Sequence, residues 1–298
     1  VLDDVGRLVL GTAALGLPYG LSGPAAKTPT LVARSAAVEL IRCALEAGLY
    51  GCDTAPAYGE AEERIGEAVP GEGRVWSKLS FDAAQGAVAA ELRARLGASL
   101  ARLRRDSLDL LSWHNWTPAI GARPAFGELW RALRAEARVH ALGATTYGAP
   151  DALAAVQSGF FEVVQVEWSL LNQGVLRAIA SAARARGVKI ALRSVFLKGV
   201  LTSRGHVLPA RLLGLRPAVA RARELASAWN MELAELALRA ALAQRADWVV
   251  IGVDSRAQLD AALGAARQPR LEAEQLSALD GLDRGDLALT DPRTWDGP

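Results

Sequence analysis

Eight short runs of apolar and β-branched residues, each followed by a longer segment of helical period, constrain this chain more than any other feature. The runs lie near Leu8–Thr12, Leu49–Asp53, Val75–Lys78, Ser107–Ser112, Val139–Thr145, Val163–Val166, Lys189–Leu192 and Trp248–Ile251. Strands that alternate with helices predict a parallel sheet joined by crossover helices, because parallel neighbours need a long connection. No Ser/Gly-rich linker interrupts the alternation, so 298 residues read as one domain. Eight is the barrel number, and the fold expected is an α/β single-domain (β/α)8 TIM barrel. A doubly wound sheet is the alternative, but no Gly-x-Gly-x-x-Gly follows the first run.

The helical segments show their stripes. Val88, Leu92, Leu96, Leu100 and Leu103 recur every three or four residues, which turns one apolar face inward and leaves Arg93, Arg95, Arg102 and Arg104 toward water. Further helices are expected at Val38–Ala47, Ala61–Val69, Ala125–Ala137, Val175–Arg186, Pro217–Trp229 and Leu233–Ala243, with one capped by Ser255 and running to Ala266. A net charge of +2, from 34 basic and 32 acidic residues, gives no field that would favour nucleic acid or an anionic membrane. No apolar run approaches the roughly 18 residues of a membrane span. The N-terminal residues lack the charge and hydropathy pattern of a secretory signal. Cys43 and Cys52 are too few for a disulfide framework and form no metal pattern with the three histidines. A cytoplasmic protein is therefore expected. Nothing in the sequence fixes an oligomeric state.

In a barrel of this kind chemistry gathers at the C-terminal ends of the strands. Asp53 ends the second run, Lys78 the third, His114 follows the fourth, Thr145 and Thr146 the fifth, Gln165 lies in the sixth, and Arg193 with Ser194 follows the seventh. Tyr58 lies five residues beyond Asp53. An acid beside a lysine at one mouth could form a pair that activates a phenol. Each residue also has a plainer reading: Asp53 as a loop or cap residue, Lys78 as a snorkelling surface lysine, and His114 as a packed ring. Trp113, Trp116 and Trp168 could line a pocket or simply fill the barrel wall.

The segment Gly51-Cys52-Asp53-Thr54-Ala55-Pro56-Ala57-Tyr58-Gly59 closely resembles the signature of the aldo-keto reductase family. Val75-Trp76-Ser77-Lys78-Leu79 and Leu108-Asp109-Leu110-Leu111-Ser112-Trp113-His114 resemble that family's lysine and histidine segments, in the same order. The opening Leu10–Gly16 and the strands holding Gln165 and Val249–Gly252 extend the likeness over nearly the whole chain. The resemblance implies NAD(P)H-dependent reduction of an aldehyde or ketone, or its reversal. Tyr58 would be the proton donor, lowered by Lys78; Asp53 would orient Lys78, and His114 would hold the carbonyl oxygen. Tyr58 and His114 would meet the substrate; Trp113 is a further substrate candidate from its place at the strand end, not from the resemblance. The scheme requires no metal.

The same resemblance implies cofactor contacts at Gly11, Thr12, Ala13, Asp53, Thr145 or Thr146, Gln165, Ser194, Leu197, Gly199, Gly252, Ser255, Arg256 and Gln258. Arg193 stands where the family often has an aromatic ring, and a guanidinium can also lie flat on a ring. NADP(H) is favoured on family grounds. NAD(H) competes, because Asp254 would repel a 2′-phosphate and Gln258 replaces a common arginine, although Arg256 and Arg267 could compensate. The runs Leu15–Gly20 and Arg193–Leu197 resemble a bacterial subgroup found near sugar and polysaccharide genes, which implies a sugar or another polar carbonyl as substrate. Two other readings stay open: a Schiff-base lyase with Lys78 as nucleophile, and a cofactor-binding regulatory subunit with slow turnover.

Overall fold

The computed structural model describes residues 3–21, 29–80, 89–285 and 287–295. Its strands are β1 (Leu8–Gly11), β2 (Gly51–Asp53), β3 (Val75–Leu79), β4 (Leu110–Trp113), β5 (Leu142–Thr145), β6 (Val163–Glu167), β7 (Lys189–Arg193) and β8 (Trp248–Gly252). Each pairs in parallel with the next, and β8 pairs with β1 from Leu8↔Val249 to Gly11↔Gly252, closing the barrel. The expected TIM barrel is the fold observed. Three strands begin later than their apolar runs. The residues ahead of them make isolated contacts instead of a continuous ladder: Leu108 and Val139 form a single bridge, and Tyr50 donates its amide to the Leu8 carbonyl.

Strand alternation sorts the side chains into two cores. Val9, Trp76, Leu110, Val163, Ala191 and Val250 fill the barrel interior, with Tyr50 and Trp248 below them. Tyr50, Trp76 and Trp248 meet mostly edge-on, with centroids 5.1 to 5.8 Å apart, and plug the lower end. Residues of the other parity, among them Leu10, Cys52, Leu111, Trp113, Val164, Leu192 and Ile251, face outward into the shell shared with the helices. Two residues above the interior layer come Gly11, Lys78, Ser112, Gln165, Arg193 and Gly252, and with Asp53 they form the upper rim.

The helices that follow the strands in turn are Arg34–Glu46, Ala61–Ala68, Ala89–Leu103, Pro124–Ala135, Ala149–Gln157, Gly174–Arg186, Leu233–Leu242 and Arg256–Ala266, with Arg216–Ala228 added before the seventh. The stripe Leu92, Leu96, Leu100 and Leu103 is buried as expected, while Val88 lies outside the described residues. The helices Ala149–Gln157 and Ala273–Asp280 were not anticipated from periodicity. The first is short and Ala-rich, and its signal is the start Gly148-Ala149-Pro150-Asp151, with proline in the first turn.

Arg102 departs from the expectation of a solvated face. It bonds the carboxylate of Glu62 at 2.8 Å through Nε, and Glu62 accepts a 2.7 Å bond from the hydroxyl of Ser77. Glu62 is 1 % exposed. This chain of contacts ties two helices to the outward side of β3 and so fixes the strand that carries Lys78.

The Tyr58 loop is seated by close backbone approach. A Cβ on Gly16 would lie 1.9 Å from the Tyr58 carbonyl oxygen and 2.5 Å from the Ala61 nitrogen. Gly59 has φ +57° and donates nothing to the crowding except space, since a Cβ there would lie 2.3 Å from the Gly16 oxygen. Gly16→Ala should therefore destabilise the fold by about 1–3 kcal/mol, as overpacking does, and displace Tyr58. A urea unfolding midpoint equal to that of the wild type would show that the loop can move aside freely.

Candidate active site

The rim brings together charges that the sequence spreads over four strands. Lys78, 1 % exposed, donates from Nζ to Asp53 Oδ2 at 2.7 Å and to the Thr54 carbonyl at 2.8 Å. Gln165 donates from Nε2 to Asp53 Oδ1 at 3.1 Å. One carboxylate thus holds the ammonium on one oxygen and an amide on the other. Breaking such a buried pair from one side commonly costs about 3–5 kcal/mol, because the partner is left charged without compensation.

Tyr58 and His114 overhang this pair. The Lys78 ammonium lies 5.1 Å from the Tyr58 ring centroid, and the Tyr58 and His114 rings stand edge to face at 6.1 Å and 87°. Burial pushes the Tyr58 phenol well above its ordinary value, Asp53 adds to the rise, and Arg193 opposes it. The expectation that Lys78 pulls the phenol down is thus not what dominates: the ammonium is committed to Asp53 and Thr54, and desolvation prevails. Tyr58 consequently keeps its proton at neutral pH. Burial also lowers the Lys78 ammonium, against the opposite pull of Asp53. The His114 imidazole is pushed down to about 3, first by burial and then by Lys78 and Arg193, so the ring is neutral and can share a hydrogen bond.

A cavity of about 810 Å³ opens from these residues and extends between the loops that follow β7 and β8. Gly11, Thr12, Ala13, Asp53, Tyr58, Lys78, His114, Thr145, Gln165, Arg193, Ser194, Leu197, Gly199, Gly252 and Gln258 all line it. Seven residues considered for the site do not. Trp113 has the outward parity of β4 and packs against Phe126 and Trp130 at 5.1 and 5.7 Å, which corrects its placement beside the substrate. Trp116 and Trp168, each 2 % exposed, are likewise wall residues. Thr146 is fully buried and acts through its backbone, its carbonyl accepting from Arg193 at 2.7 Å and its amide donating to the Gln165 carbonyl at 3.2 Å. Ser255 caps its helix through the Gln258 amide, and Arg256 turns along that helix to Asp260 at 2.8 Å. Arg267 sits at the opposite end of the same helix.

Other lining residues carried no motif. The Tyr147 ring meets two guanidinium groups, Arg193 at 4.0 Å and Arg293 at 3.4 Å from its centroid. Arg293 is itself held by Asp291 through bonds of 2.6 to 3.1 Å. Glu167 lies behind Arg193 at 3.7 Å, and burial pushes its carboxyl above the usual range against the pull of that arginine. Tyr147 was within reach of sequence reasoning, as it follows the polar end of β5; Arg293 was not, because only the fold carries residue 293 to the barrel mouth.

The residues fit a nicotinamide dinucleotide. The inner end is polar, while Gly199, Gly252, Ala261, Gly264 and Ala265 leave the outer slot free of bulk. Ser194, Leu197 and Lys198 adopt left-handed backbone with φ of 64°, 48° and 50°. Such conformations cost energy and cluster where a loop must hold a ligand. Asp254 and Arg204 form an ion pair that joins the loop after β7 to the turn after β8.

The model of the aldo/keto reductase family matches residues 7–284. The chain belongs to the aldo-keto reductase family. It is 30 % identical over 278 residues to an aldo-keto reductase of Mycolicibacterium vanbaalenii, a match covering 88 % of each chain. It is 25 % identical to the NADH-specific methylglyoxal reductase of Escherichia coli, over 66 % of this chain and 65 % of that one. Its fold is similar to that of an aldo-keto reductase of Bacillus halodurans, with a TM-score of 0.76 at 20 % identity over 97 % of this chain and 95 % of that one. This aldo-keto reductase is thus an oxidoreductase of a family that uses NAD(P)H. No helix among the described residues is long and apolar enough to cross a membrane.

The electrostatics of His114 give a stability test. Its folded value of about 3 lies below an unfolded value near ~6.5, so the unfolded chain binds more protons between these limits and stability falls as pH drops through that window. Above it the contribution is complete. His114→Asn should flatten the dependence of unfolding free energy on pH by up to about 1.4 kcal/mol per pH unit between about pH 6 and pH 4. Equal slopes for the two proteins would mean that the ring is solvated.

Proposed function

We propose that this aldo-keto reductase reduces a small polar aldehyde or ketone to an alcohol, with Tyr58 as the proton donor. The observation that carries the reading is the convergence of Tyr58 and His114 on the inner end of a long cavity, directly above the buried Asp53–Lys78 pair. When bound, the reduced nicotinamide supplies the hydride. Negative charge then grows on the substrate oxygen and needs a proton or a field to receive it. Tyr58 holds a proton at neutral pH and faces the cavity. His114, neutral and close to Tyr58, can hydrogen-bond the carbonyl oxygen and fix its place. Lys78 supplies the positive field beneath the phenol, and Asp53 keeps Lys78 in position. Because its ammonium is bound to Asp53 and Thr54, Lys78 is poorly placed as a free amine for Schiff-base chemistry.

Gln165, Thr145 and Gly11 would hold the nicotinamide end, and the small residues of the outer slot would receive the adenosine. We favour NADH over NADPH at that end. Asp254, Gln258 and Glu235 line the outer cavity, Arg204 is already paired with Asp254, and Arg256 points away. An acid there suits a ribose hydroxyl and repels a 2′-phosphate. The Escherichia coli relative named as NADH-specific agrees with this reading.

Tyr58→Phe should lower kcat for reduction by at least about a hundredfold while leaving cofactor affinity within a few-fold, since only the acid is removed. A variant that retains its kcat would assign the proton to another group. Asp254→Lys should raise the preference for NADPH by about tenfold or more. A ratio of NADPH to NADH affinities that does not change would place the adenosine ribose elsewhere. Both are read by fluorescence titration with the two cofactors and by loss of reduced-cofactor absorbance on adding simple aldehydes.

A further inference from the structure

Arg193 is a fixed cation at the inner end of the cavity, and its setting is unusual. It stands at the top of β7 in register with Glu167 of β6, two residues above the Gln165↔Ala191 pair. Its guanidinium donates to the Thr146 carbonyl at 2.7 Å and to the Ser194 hydroxyl at 3.2 Å, and it lies 4.0 Å from the Tyr147 ring centroid. A group held by three contacts cannot swing away when a ligand arrives, and a guanidinium does not lose its proton in a protein. Its field already reaches the reacting groups: it opposes the rise of the Tyr58 phenol and adds to the depression of the His114 imidazole.

The counter-charge is incomplete. Glu167 uses one oxygen to accept the Gly148 amide at 2.8 Å, and its other oxygen, fully buried, accepts no hydrogen bond. That second oxygen faces Arg193 at 3.7 Å, close enough to attract and too far to bond. The second arginine over the Tyr147 ring, Arg293, is matched by direct bonds to Asp291. Arg193 is therefore the less neutralised of the two.

This rests on the cofactor reading above. The oxidised and reduced forms of a nicotinamide dinucleotide are alike along their whole length except at the ring, which is cationic when oxidised and neutral when reduced. Any preference between them must arise from groups near the ring, and hydride transfer requires the ring to come to the inner end beside Tyr58 and His114. We propose that Arg193 makes this site discriminate between the two redox forms, binding the reduced cofactor more tightly than the oxidised one, and that Glu167 sets the strength of that discrimination. An aromatic ring at the position of Arg193 would attract a cationic ring; a guanidinium repels it. The overall equilibrium of the reaction is unaffected. What changes is retention: the oxidised product is released readily and competes weakly with fresh reduced cofactor.

The test is a set of binding titrations with NADH and NAD⁺ on the whole protein, read by cofactor fluorescence and by calorimetry, without substrate. In the wild type the ratio of the Kd for NAD⁺ to that for NADH should exceed one. Arg193→Met should lower it roughly tenfold, the order expected for removing one nearby charge, and Arg193→Lys should keep most of it. Glu167→Gln, which can still accept the Gly148 amide, should move the ratio several-fold in the opposite direction. A structural role for either residue would weaken both forms alike and leave the ratio unmoved. If both forms bind and neither substitution changes the ratio, the proposal is overturned and the cofactor reading stands; if neither form binds the wild type, both fall. Should Arg193→Met lose its fold by circular dichroism, the sign of the Glu167→Gln shift decides.

Discussion

A charged pair kept out of water at the top of a parallel barrel is the constraint from which the rest of the site follows. Asp53 and Lys78 lie on adjacent strands, and neither can lose its partner without leaving a bare charge among apolar residues. That requirement fixes the register of β2 against β3 and draws Gln165 across from β6 to the second carboxylate oxygen. The arrangement confers little stability by itself, since desolvation offsets much of the attraction. Its effect is to specify where an ammonium sits under a phenol.

Two faces of the same strands do different work. Inward residues climb from a plug of aromatic rings, through an aliphatic layer, to a polar rim; outward residues are apolar and pack on the helices. The exceptions to outward apolarity are informative. Ser77 carries its hydroxyl outward to Glu62 and Arg102, and this small polar network clamps β3 from behind, so that the lysine one residue further on is held from both sides of the sheet.

The fold was legible because eight apolar runs and their intervening stripes repeat a pattern that only a few topologies satisfy. The gathering of residues was legible where it followed strand ends: Asp53, Lys78, His114, Gln165 and Arg193 line one cavity, as their positions at or after the strand ends imply, and the segment around Tyr58 came from the resemblance. Trp113 does not reach the pocket because parity decides its direction: Ser112 on one side and His114 on the other point it outward. Arg256 was misplaced because a basic residue near a phosphate turn finds an acid one helical turn away in Asp260. Tyr147 follows the polar end of β5 and was within reach, whereas Arg293 could not be placed from sequence, since only the fold carries it over the Tyr147 ring. The value of the Tyr58 phenol was also beyond sequence, because burial outweighs the nearby charges.

The pairing of β8 with β1 joins residues near 8 to residues near 252, and Arg293 then reaches the same mouth as Gly11. The cavity is therefore bounded by parts of the chain made first and parts made nearly last. During synthesis at about 5–20 residues per second, Asp53, Lys78 and His114 leave the ribosome well before their enclosing wall exists. The cavity is complete only once β8 has paired with β1, so the first strands and the last must meet before the site exists as a whole.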